Sequence, residues 1–390
     1  MKQSALHNRQ QSLFRRLSAV CLTGRTFLGL AFTLVLGLFS SCVDEEEFPD
    51  TNRGNLQALW TIMDQRYCFF EEKGVNWDSV RAVYEPRVTN QSMTSEQLLE
   101  VLGDMLATLK DGHVNLYAGF DYTRYWGYHE NYPSNYSDSL ITRYLGTDYK
   151  IASGLRYRIL DDNVGYIRCS TFNTTFGDGN LDDILAYLVT CNGLIIDVRD
   201  NGGGMLTMAE KLAARFINQK TLVGYMRHKT GKGHNDFSSM EEQWLTPSSG
   251  LRWQKRVIVL TNRAVFSAAN EFVKYMKCSP LVTVVGDKTG GGAGLPFSSE
   301  LPNGWIIRFS ACPMYDRDKN CTENGIEPDY SVSLDSRDFA AGYDTLIEMA
   351  RHLLRSGTLA LAVPCGEQLL LPVVGRGLLR PDRQTIWSGL

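Results

Sequence analysis

Apolar positions change period along the chain. Leu56, Trp60, Met63, Tyr67 and Phe70 recur at helical spacing, and residues 76–88 keep it until Pro86 interrupts. Thr94 followed by Gln97 predicts a capping box ahead of Leu98, Leu102, Met105 and Leu109, the apolar face of a third helix. Residues 55–112 therefore read as a small helical domain whose stripes are core. Residues 113–153 carry little period and much tyrosine, which reads as irregular β structure over the core or as an exposed groove lining for peptide or glycan. From residue 154 the period shortens. Apolar runs at 154–160, 163–172, 193–199, 255–261 and 281–286 predict strands, and 181–189, 207–216, 268–277 and 340–354 predict helices. Near-continuous apolar strands separated by helices predict an α/β core at 154–355, its sheet covered on at least one face. The tail at 356–390 fits no element.

Composition narrows the class. The 390 residues, 43% of them apolar, are enough for a substantial core, and a formal charge of −3 without a long basic block leaves no electrostatic footprint for nucleic acid. The basic patch at 227–234 reads as a solvated loop. At the N-terminus, Lys2, Arg9, Arg15, Arg16 and Arg25 precede an apolar run at 27–39 that is too short to span a bilayer and is similar to a signal segment. Small residues then lead into Cys42 in "FSSCVDEEEF". That pattern resembles a bacterial lipoprotein signal at 1–41 with Cys42 as the lipidated first residue; the alternative is a plain secretory signal with Cys42 incidental. The acidic stretch within 42–54 resembles the tether of surface-exposed lipoproteins of some Gram-negative bacteria, or is a solvated linker. The implied location is the cell envelope of a Gram-negative bacterium, an outer-membrane lipoprotein on the periplasmic or surface side, touching the membrane through its anchor. Removing Cys21 and Cys42 from the nine cysteines leaves an odd number, so the disulfide pairing stays open, with Cys312 and Cys321 near enough in sequence for a hairpin bridge. No CxxC or HExxH supports zinc.

Three segments offer chemistry. His113 stands in "LKDGHVNL", where a helix gives way to a strand. The strand "IIDVRDNGGG" runs into Gly202, Gly203 and Gly204, where backbone N–H groups can approach a ligand. Ser267, in "LTNRAVFSAANEF", follows a buried strand and opens a helix, where the dipole and free amides would stabilise an oxyanion. Singly, these read as a core histidine, a turn and an N-cap. Residues 316–327 place oxygen side chains at calcium-loop positions, but Cys321 sits where that loop needs glycine.

Together, "DGHVNL", "GLIIDVRDNGGG", "VIVLTNRAVFSAANEF", "VVGDKTGGGAG" and "ENGIEPDYSV" resemble, in order and spacing, the tail-specific or C-terminal processing serine peptidases across about residues 55–355. The resemblance implies a crotonase/ClpP-like ββα superhelix with Ser267 as nucleophile. Processing peptidases proper use a serine-lysine dyad, but the lysine position here is Gly292, and Lys288 matches a noncatalytic position. The branch that includes the tricorn core and the interphotoreceptor retinoid-binding modules carries a histidine in the "DGH" segment, and tricorn a later glutamate. His113 matches the first; Glu323 is the best match for the second, with Glu327 four residues on. A neutral imidazole suits activation of a hydroxyl near neutral pH, and a carboxylate steadies the imidazolium. The oxyanion hole implied is Ala268 N–H with Gly203 N–H, the register within Gly202–Gly204 open. Only about forty residues separate His113 from the first core strand, too few for the PDZ module usual in processing peptidases. The expectation is a lipid-anchored serine endopeptidase acting on peptides or unfolded proteins without metal or cofactor. The alternative is a non-catalytic peptide, glycan or lipophile receptor on the same fold. Oligomeric state is not legible.

Overall fold

The computed structural model describes residues 47–356; the signal-like segment, Cys42, the tether as far as residue 46 and the tail from 357 lie outside the described residues. From Asp50 onward the described residues form one compact unit. It opens with α1 (Asn52–Arg66), α2 (Trp77–Tyr84) and α3 (Ser95–Ala107), whose N-termini are capped by Thr51, Asn76 and Thr94. The expected capping box is present: Gln97 N–H donates to Thr94 Oγ1 at 3.3 Å and Thr94 N–H to Gln97 Oε1 at 2.9 Å.

The tyrosine-rich segment is more regular than its sequence suggests. It forms a hairpin of β1 (Asn115–Tyr117) and β2 (Tyr122–Arg124), then α4 (Gly127–Glu130) and α5 (Asp138–Leu145). There follow β3 (Lys150–Ala152), β4 (Leu155–Ile159), β5 (Gly165–Arg168), α6 (Asp178–Leu188), β6 (Leu194–Asp197) and α7 (Leu206–Ala213). The second half contains β7 (Thr221–Met226), β8 (Glu241–Leu245), β9 (Val257–Thr261), α8 (Ala268–Met276), β10 (Val282–Gly286), β11 (Gly294–Glu300), β12 (Ile306–Tyr315), β13 (Tyr330–Ser331), α9 (Ser336–Ala341) and α10 (Thr345–Ser356).

Two sheets result. The larger runs β13-β10-β9-β6-β5-β4-β3, parallel from β13 to β5 and antiparallel beyond. Its strands are apolar on both faces because both are covered. Leu194, Ile196, Val257, Val259 and Val284 pack under α6, α7 and α8. Their neighbours Ile195, Ile258, Leu260 and Val285 point the other way, against α5 and α10. The second sheet, β2-β1-β12-β7-β8 with β11 also on β12, is antiparallel and draws β1 from the N-terminal part of the chain onto β12 (Asn115 opposite Arg308). The helical region, the connecting segment and the core thus share one framework.

The Cys312–Cys321 bridge that the sequence left open is not formed, and both thiols are free. Cys321 lies opposite Tyr315, three residues along β12 from Cys312. That offset of about 10 Å at strand rise exceeds the reach of a disulfide. In the calcium-like loop, Asp316 Oδ1 accepts from the N–H groups of Asp318 and Asn320, so it braces its own turn.

Candidate active site

Parallel strands end in loops on one edge of the sheet, and a crevice outside their carboxyl ends is where such sheets bind ligands. β6 delivers the glycine run, β9 delivers Ser267, and β10 delivers the turn at 287–293. His113 arrives from the turn before β1.

Ser267 has φ 58° and ψ −125°, a conformation costly for a residue with a Cβ, and its side chain makes no capping bond. The surroundings hold it there. Its N–H donates to Gly291 O at 2.9 Å, its carbonyl accepts Glu271 N–H at 3.0 Å, and Phe266 pairs with Gly291 as a parallel bridge. The hydroxyl instead meets His113: Ser267 Oγ and His113 Nε2 are 2.9 Å apart. The side chain of Ser267 thus faces the imidazole and leaves α8 uncapped.

The His113 turn is clamped from several sides. Asp111 Oδ1 accepts His113 N–H at 2.7 Å, while its Oδ2 accepts Tyr67 Oη–H and Ser310 Oγ–H at 3.1 and 2.9 Å. Asn115 Nδ2 donates to His113 O at 2.7 Å and Arg124 Nε to Gly112 O at 2.9 Å. Phe266 lies against the imidazole with ring centroids 4.7 Å apart, and Tyr128 stacks on Phe266. Burial lowers the His113 pKa from 6.5 to about 4, with Asp111 pulling upward and Arg308 and Arg124 pulling further down, so the ring is neutral near pH 7. A neutral ring that accepts from Ser267 at Nε2 carries its proton on Nδ1, and Nδ1 has no hydrogen-bond partner among the described residues.

The two glutamates diverge. Glu327 is exposed and pairs with Lys288 at 3.0 Å. Glu323 is buried, but its carboxylate is not on His113. Oε1 lies 2.9 Å from Lys73 Nζ and Oε2 accepts Ala293 N–H at 2.9 Å. Gly292, at the dyad-lysine position, donates its N–H to Glu323 O.

At the expected oxyanion hole, Ala268 opens α8, so its N–H lacks an intrahelical acceptor. Gly203 lies beside it. With φ 99°, a Cβ there would stand 2.8 Å from Ser267 Cβ and 3.0 Å from Ala268 N, so only glycine fits. Its N–H, however, donates to Asn201 Oδ1 at 2.9 Å. The structure brings Gly203 to the serine with its donor engaged elsewhere.

Sequence reasoning passed over Lys73 and Asp111. Asp111 had a signal, standing two residues before His113 where an Asx-type bond to its N–H forms. Lys73, in a loop after α1, had none. Among the described residues no group of His, Cys, Asp and Glu is arranged to hold a metal ion.

The chain belongs to the serine peptidases of family S41. The model for peptidase family S41 matches residues 163–332, and that for the tricorn protease C1 domain matches residues 48–107. A crystal structure of a candidate peptidase from Parabacteroides merdae is 49% identical, covers 79% of this chain and 98% of its own, and superposes with a TM-score of 0.76. A CtpA-like serine protease of Staphylococcus epidermidis is 29% identical over 175 residues, 44% of this chain and 34% of that protein. The tricorn protease of Thermoplasma acidophilum is 26% identical over 161 residues, 40% of this chain and 14% of its own. The matched stretch thus spans about a third of the S. epidermidis relative's length.

Proposed function

We propose that this chain is a serine endopeptidase that cleaves peptides or unfolded proteins through an acyl-enzyme on Ser267. The 2.9 Å contact between Ser267 Oγ and His113 Nε2 is the observation that carries this reading. His113, kept neutral by burial, takes the hydroxyl proton as Oγ attacks the scissile carbonyl, then gives that proton to the leaving amine. Water repeats the cycle to release the acid. Glu323 supports the imidazolium by its charge, not by a direct bond in the arrangement seen here. The developing oxyanion is met by Ala268 N–H and by an amide of the glycine run. Gly203 serves as the second donor once its N–H leaves Asn201, and each such donor is worth about 3 kcal/mol.

The same reading puts the protein outside the cytoplasm, anchored to the envelope of a Gram-negative bacterium by lipid on Cys42. Its support is the basic, apolar and small-residue pattern that ends at Cys42. Mass spectrometry of the mature N-terminus is expected to find a lipid-modified Cys42, and a free or internal Cys42 would sink this part.

Hydrolysis of a denatured protein and a quenched peptide library tests the catalytic part. The parent chain is expected to cut, while Ser267→Ala and His113→Ala lose about three orders of magnitude or more in kcat/KM. Equal turnover by all three, or folded protein that binds peptides saturably without cutting them, would move the assignment to a receptor.

A further inference from the structure

A buried carboxylate is retained only with partners that offset its desolvation. Glu323 has two, and one is a cation from a distant part of the chain. Lys73 Nζ is 2.9 Å from Glu323 Oε1, and both side chains are almost fully buried, at 8% and 2% exposure. The same ammonium donates to Lys110 O at 3.2 Å, one residue before Asp111 and three before His113. Lys73 therefore joins three segments: the loop after α1, the turn that carries His113, and the Glu323 loop, which Gly292 and Gly291 link onward to Ser267 N–H.

We infer that Lys73 is a positioning residue of this site, tying Glu323 to the His113 turn and favouring the Glu323 carboxylate over its neutral acid. The inference rests on the serine-histidine reading above. The groups around Glu323 are Lys73 from the loop after α1, Asp111 from the turn before β1, Tyr67 and Cys68 from the end of α1, and Cys321 from its own loop. Tyr67, Cys68 and Cys321 are all pushed up by burial and stay neutral, and Asp111 is a second acid. Lys73 is the cation that pairs with Glu323 directly. Burial first and Asp111 next push the Glu323 pKa up to about 8, and Lys73 with the Ala293 N–H keeps it from rising further, so without Lys73 the carboxylate form would be rarer still. Burial works against the charge of Lys73 too, but Glu323 and then Asp111 outweigh it. The Lys73 charge by itself disfavours the His113 imidazolium, so the gain it brings to turnover runs through Glu323.

The test uses the full chain as Lys73→Met, Lys73→Arg, Glu323→Gln and the Lys73→Met/Glu323→Gln double variant, beside the parent and Ser267→Ala. Serine-dependent turnover of the parent decides the underlying reading separately. Lys73→Met is expected to lower kcat about tenfold near neutral pH and to move the step that Glu323 sets in the kcat profile, near pH 8 in the parent, up by about one pH unit, since a unit of pKa is tenfold in the ionised fraction. Lys73→Arg restores both, and the double variant matches Glu323→Gln. A loss that is the same at every pH, or that adds to that of Glu323→Gln, makes Lys73 merely structural and overturns the inference. A rise in kcat overturns it as well, because Lys73 would then restrain Glu323. A readout without turnover is the 13C NMR titration of the Glu323 carboxyl in the Ser267→Ala background, assigned with Glu323→Gln. Its midpoint must rise in Lys73→Met, and an unchanged midpoint overturns the inference. Should Lys73→Met not fold, Lys73→Gln takes its place in both measurements.

Discussion

At the scale of single residues, His113 is the most informative side chain. Its ring is buried against Phe266, contacts Ser267 through Nε2 and leaves Nδ1 without a hydrogen-bond partner among the described residues. Burial lowers its pKa from 6.5 to about 4, so the base form persists well below neutral pH. The final loss of kcat/KM toward acid, which reports His113 in the free enzyme, is therefore expected near pH 4, below the step set by Glu323; a final loss at 6.5 would contradict it. Stability follows with a definite sign. Between 6.5 and about 4 the unfolded chain binds a proton that the folded one does not, so folding weakens as pH falls through that window and this group adds no further loss below it. Ser267 and His113 were legible because each sits at an abrupt change of period, where a strand or helix ends in a turn. Lys73 was not, since a lone lysine in a polar loop carries no mark of the buried carboxylate it will meet. The choice between Glu323 and Glu327 likewise needed burial, which spacing alone does not supply.

At the scale of elements, turns at the carboxyl ends of parallel strands hold the site. Gly291 has φ 84°, and a Cβ on it would collide with the carbonyl oxygen of Glu323, while its own carbonyl holds Ser267 N–H. Gly291→Ala is expected to lower kcat/KM at least tenfold and to lower Tm, as a strained, clashing position does. Steady-state kinetics with thermal melts check it, and parental activity would contradict it. Far from the site, Thr94→Ala removes one half of the α3 capping box and is expected to cost about 1 kcal/mol in urea unfolding, with kcat unchanged. β5, β6, β9 and β10 and the helices between them were visible as apolar runs because both faces of their sheet are covered. The second sheet was not. β8 reads "EEQWL" and is mostly exposed, β11 carries a register shift between Leu295 and Pro296, and one-sided strands of this kind leave no continuous apolar run.

At the scale of the molecule, the site is a junction. The N-terminal helical region gives Lys73, Tyr67 and the His113 turn, the parallel sheet gives Ser267 and the glycine run, and the strands of the second sheet tie the two together through β1 and β12. Behind this junction Arg199 is fully buried between Asp197 on β6 and Asp344 before α10, at 2.7 and 3.0 Å, and so bolts α10 to the central sheet. Arg199→Met would leave two carboxylates without their cation, and a loss of about 3–5 kcal/mol in urea unfolding is expected; a loss within error of zero would contradict that role. The family resemblance was legible because its motifs mark strand ends, which the fold then gathers. The shared framework was not, because pairing between β1 and β12 joins residues about half the chain apart, Asn115 and Arg308. The most direct test of the central claim is intact-mass and peptide mass spectrometry of the full chain after exposure to a fluorophosphonate. One adduct on Ser267, lost in Ser267→Ala and strongly slowed in His113→Ala, is the predicted result. No adduct on the folded protein, or an adduct on Ser267 that forms equally fast without His113, would contradict the account.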